Sequence, residues 1–253
     1  MNQREVRARL EQAGLENAAG EAALLCEFFD GEARERALTR RLAREPLQYI
    51  LGQWWFYREC YEVSRDCLIP RSDTEILVEE AIRLLPPGAR FLDLCTGSGC
   101  VAISTLASRP DLSAVAVDLF EPTLALAARN AVRNGVEKRI SFVRADILQA
   151  PQITEHFDAI LANPPYIPNA VVPTLQQEVH CEPAAALCGG TDGLDFYRSI
   201  LKNWRTVLKK GGFLLMEIGY DQAQALTALG AQYGLGCTAK KDLGGHDRVV
   251  LLQ

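Results

Sequence analysis

Apolar positions along this chain change their period at two places. Up to residue 45 they recur at helical spacing: Val6, Leu10 and Ala13 share one stripe, and Ala22 to Phe29 gives a second. Gly14, Gly20 and Gly31 punctuate short helices here. Between residues 46 and 70, Trp54, Trp55, Phe56, Tyr57 and Tyr61 crowd around Arg58-Glu59, the pattern of a β-hairpin that packs between two lobes. Pro70-Arg71-Ser72-Asp73 then leads into a helix from Thr74 to Leu85.

From residue 90 the chain alternates. Apolar runs at 90–94, 114–118, 140–144, 157–162 and 212–218 read as strands; 101–107, 123–134, 195–208 and 221–233 read as helices. Strands alternating with helices imply a mostly parallel sheet covered on both faces. Two closing strands near 237–240 and 248–252 are separated only by a Gly244-Gly245 turn, so the last strand runs antiparallel. The expected architecture is α/β: a Rossmann-like, seven-stranded sheet with an antiparallel last strand, a small N-terminal helical domain and a bridging β-hairpin. The expected boundaries are 1–45 for the short helical domain, 46–70 for the hairpin linker and 71–253 for the main domain.

A chain of 253 residues that is 48% hydrophobic supports a sizeable core, and no apolar run approaches a membrane span. The polar N-terminus has no apolar leader segment, so the expected location is the cytoplasm. The net charge of −5 argues against a broad nucleic-acid footprint. Eight cysteines lack any C-x-x-C pair and three histidines are scattered, so reduced, mostly buried thiols and no metal site are expected.

Candidate chemistry sits where strands end. Cys95-Thr96-Gly97-Ser98-Gly99 links the first core strand to its helix, and its glycines let backbone approach a ligand at a helix N-terminus. Asp118 ends the second strand, where a carboxylate accepts both hydroxyls of a ribose or, alternatively, caps the next helix. Asp146 follows the third; it accepts from an exocyclic amine with Ile147 against a purine face, or caps its own loop. Asn163-Pro164-Pro165-Tyr166 follows the fourth. The two prolines stop the strand and stiffen the backbone, so the Asn163 carboxamide and the Pro164 carbonyl can accept both hydrogens of a planar –NH₂ group.

This order resembles the class I S-adenosylmethionine-dependent methyltransferases. Pro46-Leu47-Gln48-Tyr49-Ile50-Leu51-Gly52, the 68–75 run, Glu182-Pro183-Ala184-Ala185-Ala186-Leu187 and the 189–198 run narrow it to the PrmC/HemK family. The resemblance covers about residues 46–253. It implies an enzyme that uses S-adenosylmethionine to methylate the side-chain amide nitrogen (N5) of the glutamine in the Gly-Gly-Gln motif of peptide chain release factors. It implies Asn163, Pro164 and Tyr166 as catalytic residues, Tyr166 lying against the amide or the sulfonium or, alternatively, packing under the loop. Cofactor contacts fall to Cys95, Thr96, Gly97, Ser98, Gly99, Asp118, Asp146, Ile147 and Asn163. Substrate contacts fall to Asn163, Pro164, Pro165, Tyr166 and Glu182, with Arg71 and Glu75 at the lobe junction; Glu182, Arg71 and Glu75 read equally as structural salt-bridge or capping residues. Cys95 stands where the family pattern has glycine, and the helical domain before Pro46 is shorter than usual. The alternative reading is an N6-adenine or N2-guanine methyltransferase acting on nucleic acid.

Overall fold

The computed structural model describes all 253 residues. Three helices, α1 (Gln3–Gln12), α2 (Ala18–Phe28) and α3 (Gly31–Leu42), are followed by the short α4 (Leu47–Leu51). Asn2 caps α1 reciprocally with Glu5. Gly20 lies inside α2 rather than ending a helix; only Gly14 and Gly31 punctuate. The apolar stripes Val6/Leu10, Ala18/Ala22/Leu25 and Ala37/Leu38 form a separate core, which also takes in Leu47 and Ile50.

The hairpin β1 (Gln53–Phe56) and β2 (Glu59–Glu62) divides its aromatics between the lobes. Trp55 meets Phe28 of α2 edge-on at 6.3 Å. Phe56 and Tyr61 pack edge to face at 6.0 Å inside the main core. The Tyr57 N–H donates to Glu75 at 2.8 Å, which pins the hairpin to α5 (Glu75–Leu84).

The main domain continues through β3 (Arg90–Leu94), α6 (Cys100–Ser108), β4 (Ser113–Asp118), α7 (Glu121–Arg133), β5 (Ile140–Arg144), β6 (Phe157–Ala162), α8 (Asp195–Lys202), β7 (Leu208–Glu217), α9 (Ala223–Ala231), β8 (Cys237–Lys241) and β9 (Asp247–Leu252). The sheet order is β5-β4-β3-β6-β7-β9-β8, parallel except for β9, which runs against both neighbours. One apolar cluster fills each face of the sheet.

Two elements differ from expectation. The helix beginning at Asp195 stops at Lys202, and Trp204–Val207 form a 3₁₀ turn. There the buried Trp204 indole donates to the carbonyls of Ile147 and Gln149, at 2.9 and 3.0 Å, which draws the chain out of helical register. Strand β7 starts at Leu208 instead of residue 212, and its pairing with β6 is irregular between Phe157 and Ala159, as a bulge produces.

Candidate active site

Strand register assembles the site. Leu94 pairs with Val117 on one side and Ala162 on the other, and Ala162 pairs with Met216. The next residue of each chain segment is therefore Asp118, Cys95, Asn163 and Glu217, one row across the carboxyl edge. The sheet order reverses between β3 and β6, the switch point where open α/β sheets take ligands. A cavity of about 420 Å³ opens there, a size suited to a nucleoside-sized ligand.

The glycine turn forms one wall. Gly99 has φ +82°, and a Cβ there would lie 2.7 Å from Ile103 Cδ1, so the turn into α6 needs a residue without a side chain. Cys95, in contrast, holds φ +58° with a side chain. This is the physical reason for glycine at that point in the family pattern, and the left-handed backbone costs a non-glycine residue about 1–2 kcal/mol. The Cys95 thiol is pushed well up, first by burial and then by the nearby Asp118 carboxylate, so it stays neutral.

Asp118 accepts from the Gly97 N–H at 3.0 Å and the Phe120 N–H at 3.2 Å, one bond per oxygen. It does not cap α7, whose N-cap is Phe120. Each oxygen keeps further accepting capacity, and Asp118 lines the cavity. Burial pushes its pKa above the usual carboxylate value, and the backbone donors oppose that rise. Asp146 turns one oxygen back to the Leu148 N–H at 2.9 Å and keeps the other free. Ile147 is fixed behind it, its carbonyl accepting from Ser199 at 2.6 Å.

One residue not singled out from the sequence, Asp93, completes this wall. Asp93 is 1% exposed and raised to about 7 by burial. Its Oδ2 accepts from Thr96 at 2.6 Å, while Oδ1 is enclosed without a partner. Ser98 Oγ is likewise enclosed and unpartnered. Both residues line the cavity, and such orphaned polar atoms fit a polar ligand with donors of its own. S-adenosylmethionine, with a ribose diol, an ammonium and an exocyclic amine, matches this set of acceptors.

On the opposite wall, Asn163 Nδ2 donates to Thr74 Oγ1 at 3.1 Å, which leaves Oδ1 as an acceptor. The Pro164 carbonyl takes no hydrogen bond from the protein. Asn163 and Pro165 line the cavity, whereas Gly99, Pro164, Tyr166 and Glu182 stand behind its surface. Tyr166 departs from expectation. Its ring packs under the loop beside the β7 and α8 core, and its hydroxyl donates to Glu217 at 3.3 Å. Facing inward, it meets a buried acceptor instead of the substrate amide or the sulfonium. Glu182 takes the salt-bridge alternative rather than facing the cavity. Oε1 is ion-paired with Arg71 and Oε2 accepts from the Ile69 N–H at 3.0 Å, so both oxygens latch its loop to the 69–71 segment.

The loop also rests on Gln222, whose Nε2 donates to the Tyr166 carbonyl at 3.0 Å. Gly193, at φ +77°, passes so close that a Cβ would fall 2.2 Å from that same carbonyl. Thr74, Glu217, Gln222 and Gly193 were not recognised in the sequence. Glu217 alone carried a local signal, a lone carboxylate in the apolar run 213–218. The cysteines are all free, but only Cys67 and Cys100 are buried. No helix is long and apolar enough to cross a membrane.

Comparison with known proteins agrees with this geometry. A family model described as "Methyltransferase small domain" matches residues 72–192. The release factor glutamine methyltransferase of Geobacter sulfurreducens is 43% identical over 215 residues, 84% of this chain and 75% of that protein. The protein of the same name from Caulobacter vibrioides is 36% identical over 266 residues, 96% of this chain and 92% of the other. Among solved structures, the ribosomal protein L11 methylase of Lactobacillus delbrueckii subsp. bulgaricus superimposes with a TM-score of 0.54 at 18% identity. That match covers 72% of this chain and 79% of the other, a likeness of fold. With its methyltransferase sheet, its acceptor-lined switch point and relatives matched over most of their length, this chain belongs to the release factor glutamine methyltransferase family.

Proposed function

We propose that Asn163 Oδ1 and the Pro164 carbonyl receive the two N–H groups of the glutamine in a release factor's Gly-Gly-Gln loop, and that the methyl group goes to that nitrogen. The enzyme is an S-adenosylmethionine-dependent protein-glutamine N5-methyltransferase, and the donor supplies a methyl group already activated on a sulfonium. The observation that carries the reading is the Asn163–Thr74 hydrogen bond, which turns the carboxamide so that its oxygen faces an incoming donor.

An amide nitrogen is a weak nucleophile because its lone pair is delocalised into the carbonyl. Two fixed acceptors hold both N–H bonds and direct the lone pair at the methyl group. Positioning of this kind is worth up to ~7–11 kcal/mol. As the N–CH₃ bond would form, the S–CH₃ bond would break, leaving a neutral thioether. The nitrogen gains positive charge and the same two oxygens bind it more strongly, so the contact favours the transition state over the ground state. The nitrogen returns to neutrality by releasing one N–H proton to solvent. Asp118, with Asp146 and Ile147, holds the donor's nucleoside end; the glycine turn and Asp93 hold its amino-acid end. Arg71 and Glu182 keep the loop facing the acceptor site closed onto the 69–71 segment.

The test is transfer of labelled methyl from S-adenosylmethionine to a release factor, to its Gln→Ala variant in the Gly-Gly-Gln loop, and to DNA and RNA. Label on the wild-type factor alone is expected. Transfer only to nucleic acid would establish the base-methylating alternative instead.

A further inference from the structure

The stretch 178–188 lines the cavity with Pro183, Ala185, Ala186 and Cys188. Its exit is bonded to the chain just after Tyr166. The Ile167 N–H donates to the Leu187 carbonyl at 3.0 Å, and the Gly189 N–H to the Ile167 carbonyl at 2.8 Å. Every side-chain hydrogen bond of this stretch goes to residues 41–71, and none to the sheet. Glu182 accepts from Arg71 and the Ile69 N–H. Glu178 Oε1 accepts from Arg41 Nη1 at 3.2 Å and Arg44 Nη1 at 3.3 Å. Cys181 Sγ lies 4.0 Å from the Arg44 carbonyl. Both arginines are already fixed among the N-terminal helices. Arg41, 6% exposed, is bidentate with Glu21 of α2 at 2.7 and 3.1 Å, and its Nη1 also donates to the Glu45 carbonyl at 3.3 Å. Arg44 Nη2 donates to the Ala13 carbonyl at 2.6 Å. Arg44 also breaks a local rule. Its N–H bonds back to the Arg41 carbonyl at 2.9 Å and the Glu45 N–H to the Arg40 carbonyl at 3.2 Å, the paired bonds that end a helix on a left-handed residue. Glycine is favoured there, yet Arg44 holds the position at φ +66°. A disfavoured backbone is kept where its guanidinium reaches Glu178.

We propose that Glu178 is a positioning residue: through the Arg41–Glu178–Arg44 clasp, the N-terminal helices hold the 178–188 stretch in place at the cavity, ready for the acceptor glutamine. The inference rests on the release factor reading given above. The reacting groups do not depend on the clasp. Asn163 is held by Thr74, its loop by Gln222, and Asp118 by backbone N–H groups. Loss of the clasp therefore leaves the chemistry intact once the acceptor is seated, and acts on the seating. A stretch in place only a tenth of the time weakens apparent acceptor binding about tenfold, because binding must first restore it. The N-terminal helices thus serve the reaction through the enzyme's own loop, apart from any contact they make with the partner.

The experiment compares the wild-type enzyme with Glu178→Gln, Arg44→Gly and the double variant. Arg44→Gly is safe for folding, because glycine is the favoured residue at that turn. On release factor at saturating donor, Glu178→Gln is expected to raise KM about 10-fold, with kcat and the dissociation constant for S-adenosylmethionine each changed less than about twofold. Arg44→Gly should raise KM about 3–5-fold, since Arg41 still holds Glu178. The double variant should be no worse than Glu178→Gln, because both residues act through one contact. A merely structural loss would lower kcat and donor affinity as well. An independent readout needs no acceptor protein. The N–H groups of Cys181 and Glu182 are bonded to the Glu178 and Val179 carbonyls, each at 3.0 Å. Their hydrogen exchange should quicken about tenfold in Glu178→Gln, while β3 and β6 keep their rates. Unchanged exchange in this stretch would overturn the proposal, and so would an unchanged KM or a fall in kcat at unchanged KM. Quickened exchange in the variant, with no methyl transfer from the wild-type enzyme to release factor, would instead overturn the choice of acceptor.

Discussion

The two walls of the cavity are held by different means. Asp118 is fixed by backbone N–H groups of Gly97 and Phe120, atoms that any sequence with this turn supplies. Asn163 is fixed by a side chain, Thr74, from the start of the first helix of the main domain, and its loop rests on Glu217 and Gln222 from the far end of the chain. The donor wall is thus a local backbone device. The acceptor wall is a long-range assembly of side chains, and it is the one that must distinguish a particular nitrogen. A buried carboxyl with one orphaned oxygen stands behind each wall: Asp93 on the donor side and Glu217 on the acceptor side.

Single substitutions separate the walls. The largest effect is expected for Asn163→Ala, which should lower turnover about 10²–10³-fold, as loss of one transition-state contact does, while donor affinity holds. Single-turnover rates alongside calorimetric donor titration check this; equal losses in both would merge the two walls into one. Asp118→Ala should do the reverse, weakening donor binding roughly 10–100-fold through lost charge-assisted hydrogen bonds, with turnover at saturating donor reduced much less.

Asp93→Asn sharpens the comparison through pH. A carboxyl raised from 3.8 to about 7 in the folded chain destabilises it increasingly as pH rises across that interval, and fully above it. The neutral amide escapes this cost, so the variant without donor should be more stable at pH 8 by up to about 4 kcal/mol and no different at pH 3.5. Urea unfolding at the two pH values checks the sign. The smallest effect is expected for Cys95→Gly. Relief of the left-handed backbone should stabilise the protein by about 1 kcal/mol, with donor affinity changed less than about twofold. A loss of stability in thermal melts would show that the thiol's packing outweighs the backbone strain.

The same contrast explains what could be read from the sequence. Alternating strands and helices, the antiparallel close and the residues at each strand end follow from period and punctuation, which are local properties. The glycine turn, Asp118 and Asn163 are legible because strand ends are legible. Thr74 and Gln222 are not, because they reach the loop only through tertiary packing, 89 and 56 positions away along the chain. For Tyr166 and Glu182 the sequence left a substrate-facing and a structural reading side by side, because a motif fixes sequence position but not side-chain direction. Tyr166 finds a buried carboxylate, and Glu182 finds Arg71 and the Ile69 N–H. The shift in β7 came from a pairing irregularity with β6 that no alternation pattern encodes.

Pro164 and Pro165 carry a consequence for discrimination between near-identical side chains. Neither contributes an N–H, so the loop meets its target with oxygen lone pairs and no backbone hydrogen at either position. Glutamate matches glutamine in shape, but it replaces the NH₂ group with a second oxygen and a negative charge, which would face the Asn163 and Pro164 acceptors. A site built to receive N–H groups rejects an analogue lacking them by about 10⁴–10⁵-fold. On the proposed assignment the double proline works as a filter for amide over acid, and a deamidated release factor would pass through the enzyme unmodified.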